Sequence, residues 1–126
     1  MRAARLVRRV AVIQREERDM ANVIFILQRK AGMTRQECLD EWAGDRHTQI
    51  VRKLPGLTRW IQHRVVSAPA EPAACDGIGV LSFESDEIMQ AALNSPEMAA
   101  AVEDARNFLD MDKTALVIVE DNIVVG

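Results

Sequence analysis

The sequence predicts an α+β fold in which one four-stranded antiparallel sheet packs against helices on a single face. Four short apolar runs rich in β-branched residues have the length of strands. Helical segments with clear capping residues follow the first and the third run. The resulting order, β-α-β-β-α-β, is that of the ferredoxin-like fold, and 126 residues suffice for one such domain.

The first strand is predicted over residues 22–30, a continuous apolar run typical of a strand buried on both faces. Residues 67–76 contain two prolines and are predicted to form a loop. The other strands are predicted over residues 57–66, 77–83 and 115–119, with residues 123–125 as an extension of the last or a short tail strand.

One long helix is predicted between the first two strands. Thr34 and Glu37 have the spacing of a capping box at its start, and Pro55-Gly56 ends it. Gly44 is expected to kink this helix. Between the third and fourth strands, Ser85 and Ser95 are each expected to cap a shorter helix.

Composition narrows the class of protein. The chain is 48% hydrophobic and has two cysteines, Cys38 and Cys75, whose spacing suits neither a disulfide framework nor a metal site. A reducing, cytoplasmic location is therefore expected. The protein is expected to use no metal and no other cofactor. No apolar run reaches the length of a membrane span.

The net charge of −3 is unevenly distributed. Residues 1–19 carry six arginines against three acidic residues, so residues 20–126 are strongly acidic, which argues against a nucleic-acid partner. Residues 1–19 also lack the apolar core of a signal peptide. They are expected to be a peripheral extension of a domain spanning residues 20–126; a membrane-surface or partner helix is the alternative.

His47 lies on the long helix at the edge of its apolar stripe, where a polar side chain requires an explanation. It is either a core histidine bonded to a backbone carbonyl or a functional residue. A histidine can exchange a proton near neutral pH. Trp42, five residues earlier, is placed to line a cavity beside His47 and to stack on a flat ligand there.

An ordered set of motifs resembles the EthD family. It comprises Gly32-Met33-Thr34 through Trp42, then His47, Leu54-Pro55-Gly56-Leu57, Asp76-Gly77 and Ser95-Pro96-Glu97-Met98. The resemblance covers residues 21–125 and implies a dimeric α+β barrel, in which two ferredoxin-like subunits pack sheet to sheet. Apolar residues on both faces of the predicted strands independently favour such a homodimer.

The resemblance also implies a site. Methylmuconolactone methylisomerases of this fold have a histidine eight residues before the Pro-Gly turn, and His47 stands eight residues before Pro55. Cys75 corresponds only loosely to a cysteine that those enzymes use, and that role is not carried over.

Four further positions are candidates on chemical grounds. Arg46 suits a carboxylate or enolate oxygen, or is a surface side chain. His63 lines either the pocket or an interface. Asp110 and Asp112 are candidates to orient an imidazole.

Together, these features predict a cofactor-free enzyme that isomerises, cyclises or dehydrates a small aromatic, polyketide or lactone-type metabolite, with His47 as the acid/base and Trp42, Arg46 and His63 binding substrate. The alternatives are a non-catalytic accessory protein that binds a hydrophobic metabolite, and a monooxygenase of the same fold. The chain has no P-loop, Rossmann glycines or nucleophile elbow.

Overall fold

A computed structural model describes residues 20–126. The expectations for residues 1–19 lie outside this part of the chain. The elements in order are β1 (Ala21–Leu27), α1 (Arg35–Ala43), α2 (Asp45–Val51), β2 (Leu57–Arg64), β3 (Gly77–Phe83), α3 (Asp86–Leu93), α4 (Pro96–Ala105) and β4 (Ala115–Val119).

The four strands form one sheet in the order β2-β3-β1-β4, and each neighbouring pair is antiparallel. This arrangement confirms the predicted α+β, ferredoxin-like fold. Residues 123–125 form no strand, contrary to the expectation of a tail strand, and their side chains are largely exposed.

The predicted long helix is in fact two helices separated at Gly44. Gly44 has φ −68° and ψ 156°, an extended conformation that ends α1 and caps α2. A Cβ at this position would lie 3.2 Å from the carbonyl oxygen of Asp40 and 3.3 Å from that of Glu41, so glycine fits the tight junction best. The apolar stripe expected along one long helix is therefore interrupted at this junction, where Ala43 is exposed.

The capping predictions hold at the start of three helices. Thr34 and Glu37 form the complete capping box at the N-terminus of α1. Ser85 and Ser95 accept hydrogen bonds from the backbone N–H groups of Ile88 and Met98. These caps fix where α3 and α4 begin, and α4 carries part of the site described below.

The helices cover one face of the sheet, and the core lies between the two layers. Val23, Leu81 and Phe83 point from the strands toward α3 and α4 and are almost completely buried. A second cluster joins the other end of β1 to α1 and to the segment after α4. Its members are Leu27, Cys38, Leu39, Trp42, Ala105, Phe108 and Leu109.

The opposite face of the sheet carries aliphatic side chains with no layer above them in one chain. Strand alternation and register place one row of residues from each strand on this face. We call it the outer face; its central residues are Ile24, Ile26, Ile61, Ile78, Val80 and Val117.

Candidate active site

A pocket lies between the helices and the inner face of the sheet. Its empty volume is about 520 Å³, which includes space open to solvent. Most of the lining is aliphatic or aromatic, from Phe25, Leu27, Val51, Leu54, Leu81, Met98 and neighbouring side chains, and the polar lining groups are few: His47, the two tryptophan indoles and Thr114.

His47 is held at the wall of this pocket by three aromatic and polar contacts. Its side chain is only 6% exposed. The imidazole meets the ring of Phe108 edge-on, with centroids 5.0 Å apart, and that of Trp60 at 6.2 Å. Its Nδ1 lies 2.9 Å from Oδ2 of Asp104. The ring is therefore fixed in orientation by packing as well as by a hydrogen bond.

Asp104 reaches His47 from α4 and is itself held from several sides. Its side chain is 7% exposed, and its Oδ1 accepts a hydrogen bond of 2.8 Å from Nε of Arg46. The amide of Asn107 donates to the backbone carbonyl of Asp104 at 3.0 Å. Because Oδ1 is occupied by Arg46, Oδ2 is left for the imidazole.

This arrangement fixes the tautomer of His47. A carboxylate only accepts hydrogen bonds, so Nδ1–H is the donor to Asp104 and Nε2 carries the lone pair. Within residues 20–126, Nε2 has no hydrogen-bond partner, and no fully buried side-chain nitrogen or oxygen lacks one. Nε2 is therefore not completely enclosed, and His47 is one of the residues that line the pocket.

Burial lowers the pKa of His47 below its ordinary value of 6.5; Asp104 opposes this shift and Arg46 adds to it. The imidazole is therefore neutral at pH 7 and competent as a base. The same shift makes the folded state bind fewer protons than the unfolded state near pH 6.5. The free energy of unfolding is then unaffected above that pH and falls as the pH drops through it.

We expect NMR to show His47 as the Nδ1–H tautomer at pH 7, with a pKa below 6.5, because burial outweighs the effect of Asp104. Long-range ¹H–¹⁵N spectra recorded across a pH titration measure both properties. The chain has two histidines, so a His63→Gln variant assigns the signals. An Nε2–H tautomer, or a pKa above 6.5, would contradict the geometry described above.

Trp42 forms a second wall, against two glycines of β3. A Cβ at Gly77 would lie 2.8 Å from Cζ3 of its indole, and one at Gly79 would lie 3.2 Å from Cζ2. The bare backbone of β3 thus accommodates the ring. Gln62 donates a hydrogen bond of 2.9 Å to the carbonyl oxygen of Trp42, which ties α1 to β2.

The Asp76-Gly77 motif supports this wall. The Asp76 carboxylate is buried and accepts hydrogen bonds from the backbone N–H of Arg29 at 2.9 Å and from Nε of Arg35 at 3.3 Å. It therefore joins the start of β3 to the end of β1 and to α1. Gly77, next in sequence, leaves the space that the indole of Trp42 occupies.

The structure brings together only some of the residues predicted for the site. His47 and Trp42 both line the pocket. Arg46 does not; it is 58% exposed and pairs with Asp104 and, at 3.4 Å, with Glu41. His63 lies exposed on the outer face, opposite the pocket, because it alternates with Trp60 and Gln62 along β2.

Asp104 and Trp60 were missed by the sequence analysis. Asp110 and Asp112 were considered as the imidazole partner, but Asp104 occupies that position. A signal was available: Asp104 shares the buried face of α4 with Met98 and Ala101, where a carboxylate requires a partner. Nothing in the sequence linked it to His47, which is 57 residues away.

Neither Cys38 nor any cluster of acidic residues within residues 20–126 forms a second candidate site. Cys38 is fully buried, and its burial, reinforced by Asp76, raises the pKa of the thiol to about 11. Within residues 20–126, no group of three or more His, Cys, Asp or Glu side chains is placed to hold a metal ion. No helix in the same part of the chain is long and apolar enough to cross a membrane.

Fold and pocket together define a ferredoxin-like α+β domain with a largely apolar cavity between its sheet and helices. A family model for the EthD domain matches residues 30–112, which is more than half of the chain. The protein therefore belongs to the EthD family, as the sequence motifs indicated. No curated protein matches it significantly in sequence.

Several solved structures share this fold. An EthD family protein from Bacillus halodurans C-125 superposes with a TM-score of 0.68 at 23% identity, covering 82% of this chain and 99% of that chain. A dimeric ferredoxin-like protein of unknown function from Bacteroides fragilis gives 0.60 at 13% identity, covering 82% and 97%. SnoaB, a cofactor-independent oxygenase from Streptomyces nogalater, gives 0.59 at 11% identity, covering 85% and 97%.

Proposed function

We propose that this protein is a cofactor-free enzyme that removes a proton from a small, flat, mostly apolar carbonyl or phenolic metabolite, with His47 as the base. One observation supports this most strongly. A neutral imidazole, bonded through Nδ1 to a buried carboxylate, lines an otherwise largely apolar pocket, and its Nε2 has no hydrogen-bond partner within residues 20–126.

The geometry supports a simple first step. Nε2 of His47 takes a proton from the substrate, and the electron pair left behind moves onto the substrate's oxygen. The imidazolium that forms is stabilised by Asp104 at 2.9 Å. Isomerisation, cyclisation and dehydration of carbonyl compounds all begin with such a step, and the proton is later returned from the same nitrogen.

A cofactor-independent oxygenase is the second candidate. Its support is the structural similarity to SnoaB, which is described as such an enzyme. It would share the proton-removal step, after which the anion would react with dioxygen. An oxygen electrode separates this candidate from the first, since isomerisation and cyclisation consume no oxygen.

Proton removal can be measured before the natural substrate is known. The probe is 2-tetralone, a bicyclic ketone with acidic C–H bonds beside its carbonyl, incubated with the protein in D₂O and followed by NMR. We expect the protein to accelerate deuterium exchange beyond an equal concentration of imidazole, with saturation and with inhibition by 2-naphthol, the flat phenol of the same skeleton.

Binding is followed separately through tryptophan fluorescence, since both tryptophans of the chain line the pocket. If 2-naphthol binds but the protein does not accelerate exchange, the result supports a non-catalytic accessory protein rather than an enzyme. If neither is observed, the proposal is wrong for this class of ligand.

The protein is further proposed to act as a homodimer joined through the outer face. Several relatives of similar fold are described as dimeric. The aliphatic residues at the centre of this face are half-buried or exposed in one chain, and Asn22 and Ser82 at its edge already satisfy each other through a 2.6 Å hydrogen bond. Burial of this row by a second copy would remove it from water.

A Val80→Lys variant tests the dimer, because a charge at the centre of the outer face would be buried unpaired. We expect light scattering to give twice 14.1 kDa for the wild type and 14.1 kDa for the variant. Arg106→Glu, a charge change on the exposed end of α4, is the matched control and should stay dimeric. A monomeric wild type at micromolar concentration would exclude the proposed assembly.

A further inference from the structure

Trp60 shares the pocket wall with His47 but has no role in the step described above. It projects from β2 onto the inner face of the sheet and is partly buried against the core. Its ring lies edge-on to the imidazole of His47, with centroids 6.2 Å apart and an interplanar angle of 69°. A substrate that reaches one of these rings is therefore within a few ångströms of the other.

The indole N–H of Trp60 is an unused donor. Indole nitrogen only donates, and within residues 20–126 no group accepts a hydrogen bond from Nε1 of Trp60. This atom is also absent from the fully buried unpartnered atoms, of which the described residues have none, so Nε1 is accessible.

Gly79 keeps this donor open. A Cβ at Gly79 would lie 3.9 Å from Nε1 of Trp60, and Gly79 itself lines the pocket. The N–H edge of the indole therefore lies beside bare backbone rather than beside a side chain. Any branched residue at position 79 would extend further into the space next to this nitrogen.

The other polar groups of the lining differ from Trp60 in their surroundings. The hydroxyl of Thr114 accepts a hydrogen bond of 3.2 Å from the backbone N–H of Gln28 and keeps its own O–H as a donor, but it makes no recorded contact with His47. Trp42 is only 3% exposed and lies with its ring against Gly77 and Gly79. Trp60 is more accessible than Trp42 and is the tryptophan in edge contact with the base.

We infer that the Trp60 indole N–H binds the carbonyl oxygen of the substrate while Nε2 of His47 takes a proton from the adjacent carbon, so that the pocket selects planar, enolisable ketones. The inference rests on the proposed function and names its substrate class. A hydrogen-bond acceptor and a hydrogen-bond donor on neighbouring walls match the two polar sites of an enolisable ketone. Phenols without such a carbonyl would use only one of them.

Atoms and electrons balance in this step. The C–H bond breaks, its proton goes to Nε2 of His47, and its electron pair forms the C=C bond of the enolate as the C=O bond becomes C–O⁻. The negative charge that develops on oxygen strengthens its hydrogen bond to the Trp60 N–H in a largely apolar surrounding. In D₂O the imidazolium exchanges this proton for a deuteron from the solvent, and transfer of that deuteron to carbon, as the enolate returns to the ketone, completes the exchange.

NMR of the indole N–H signals tests binding without turnover. The chain has two tryptophans, and a Trp60→Phe variant assigns their signals. We expect 2-tetralone to move the chemical shift of the Trp60 N–H proton downfield. Tetralin, the matched hydrocarbon without the carbonyl, should cause no downfield shift. If ketone and hydrocarbon perturb the Trp60 signal alike, the inference is overturned.

Exchange kinetics test the same residue in the reaction. Trp60→Phe keeps an aromatic ring but removes the donor, and loss of one oxyanion donor costs about 10²–10³ in rate. We therefore expect slower exchange of 2-tetralone with little change in the affinity for tetralin. Wild-type exchange that Trp60→Phe leaves intact overturns this inference alone. A wild type that shifts the indole signal but exchanges nothing overturns the proposed function and leaves ketone recognition by Trp60 standing.

Discussion

His47→Gln is expected to lower the rate of deuterium exchange into 2-tetralone by about 10²–10⁴, the usual contribution of a general acid/base. Glutamine is close to histidine in size and can still hydrogen-bond Asp104, but it cannot accept and return a proton at neutral pH. Binding of 2-naphthol, measured by tryptophan fluorescence, should change little. A selective loss of rate would identify His47 as the base.

His63→Gln is the matched control, because it removes the other histidine of the chain from the opposite face of the sheet. It should retain the wild-type rate. Thermal denaturation of both variants separates chemistry from folding. If His47→Gln keeps more than a tenth of the wild-type rate, the imidazole is not the base.

Asp104→Asn is expected to cause the second large loss, again about 10²–10⁴ in the exchange rate, because the tautomer of His47 depends on a partner that only accepts. The side-chain amide that replaces the carboxylate can donate to Nδ1, which would put the imidazole proton on Nε2 and remove the lone pair from the pocket. Long-range ¹H–¹⁵N spectra would show this change directly. Loss of the anion should also lower the pKa of His47 further, since Asp104 raises it.

Glu103→Gln provides the control for charge. It removes one negative charge from the neighbouring position of α4, but Glu103 is 81% exposed and pairs only with Arg106 at 3.5 Å within the described chain. We expect its rate and its His47 tautomer to match those of the wild type. An equal loss in both variants would mean that the overall charge of α4, rather than the contact with Nδ1, sets the rate.

The fold was predictable because its determinants are local. The β-branched runs, the capping box at Thr34 and the serine caps at Ser85 and Ser95 each act within a few residues. The caps form as expected. The runs form strands, although β1 ends at Leu27 and β2 at Arg64, short of the ends predicted at residues 30 and 66. The break at Gly44 was only partly anticipated. A glycine permits a kink, but the extended conformation found here depends on how α1 and α2 pack onto the sheet, which no local pattern specifies.

The site was predictable only where one residue carried its own signal. His47 and Trp42 were recognisable because each is unusual at its position in an apolar pattern or family motif. Arg46 was assigned to substrate from its nearness to His47, whereas it pairs with Asp104, a partner from α4 that only the folded chain brings within 2.8 Å. Trp60 was not identified as a site residue, since periodicity gives its face of β2 but not the cavity above it.

The pocket and the outer face lie on opposite sides of the same sheet, and the pocket walls formed by residues 20–126 all belong to one chain. If assembly uses the outer face, each subunit of the dimer has a complete active site that works independently of the other. Mixed dimers of wild-type and His47→Gln chains should then show activity in direct proportion to the wild-type fraction, with no rescue of one inactive variant by another. A curved dependence on composition, or complementation between His47→Gln and Asp104→Asn chains, would reveal a site shared between subunits.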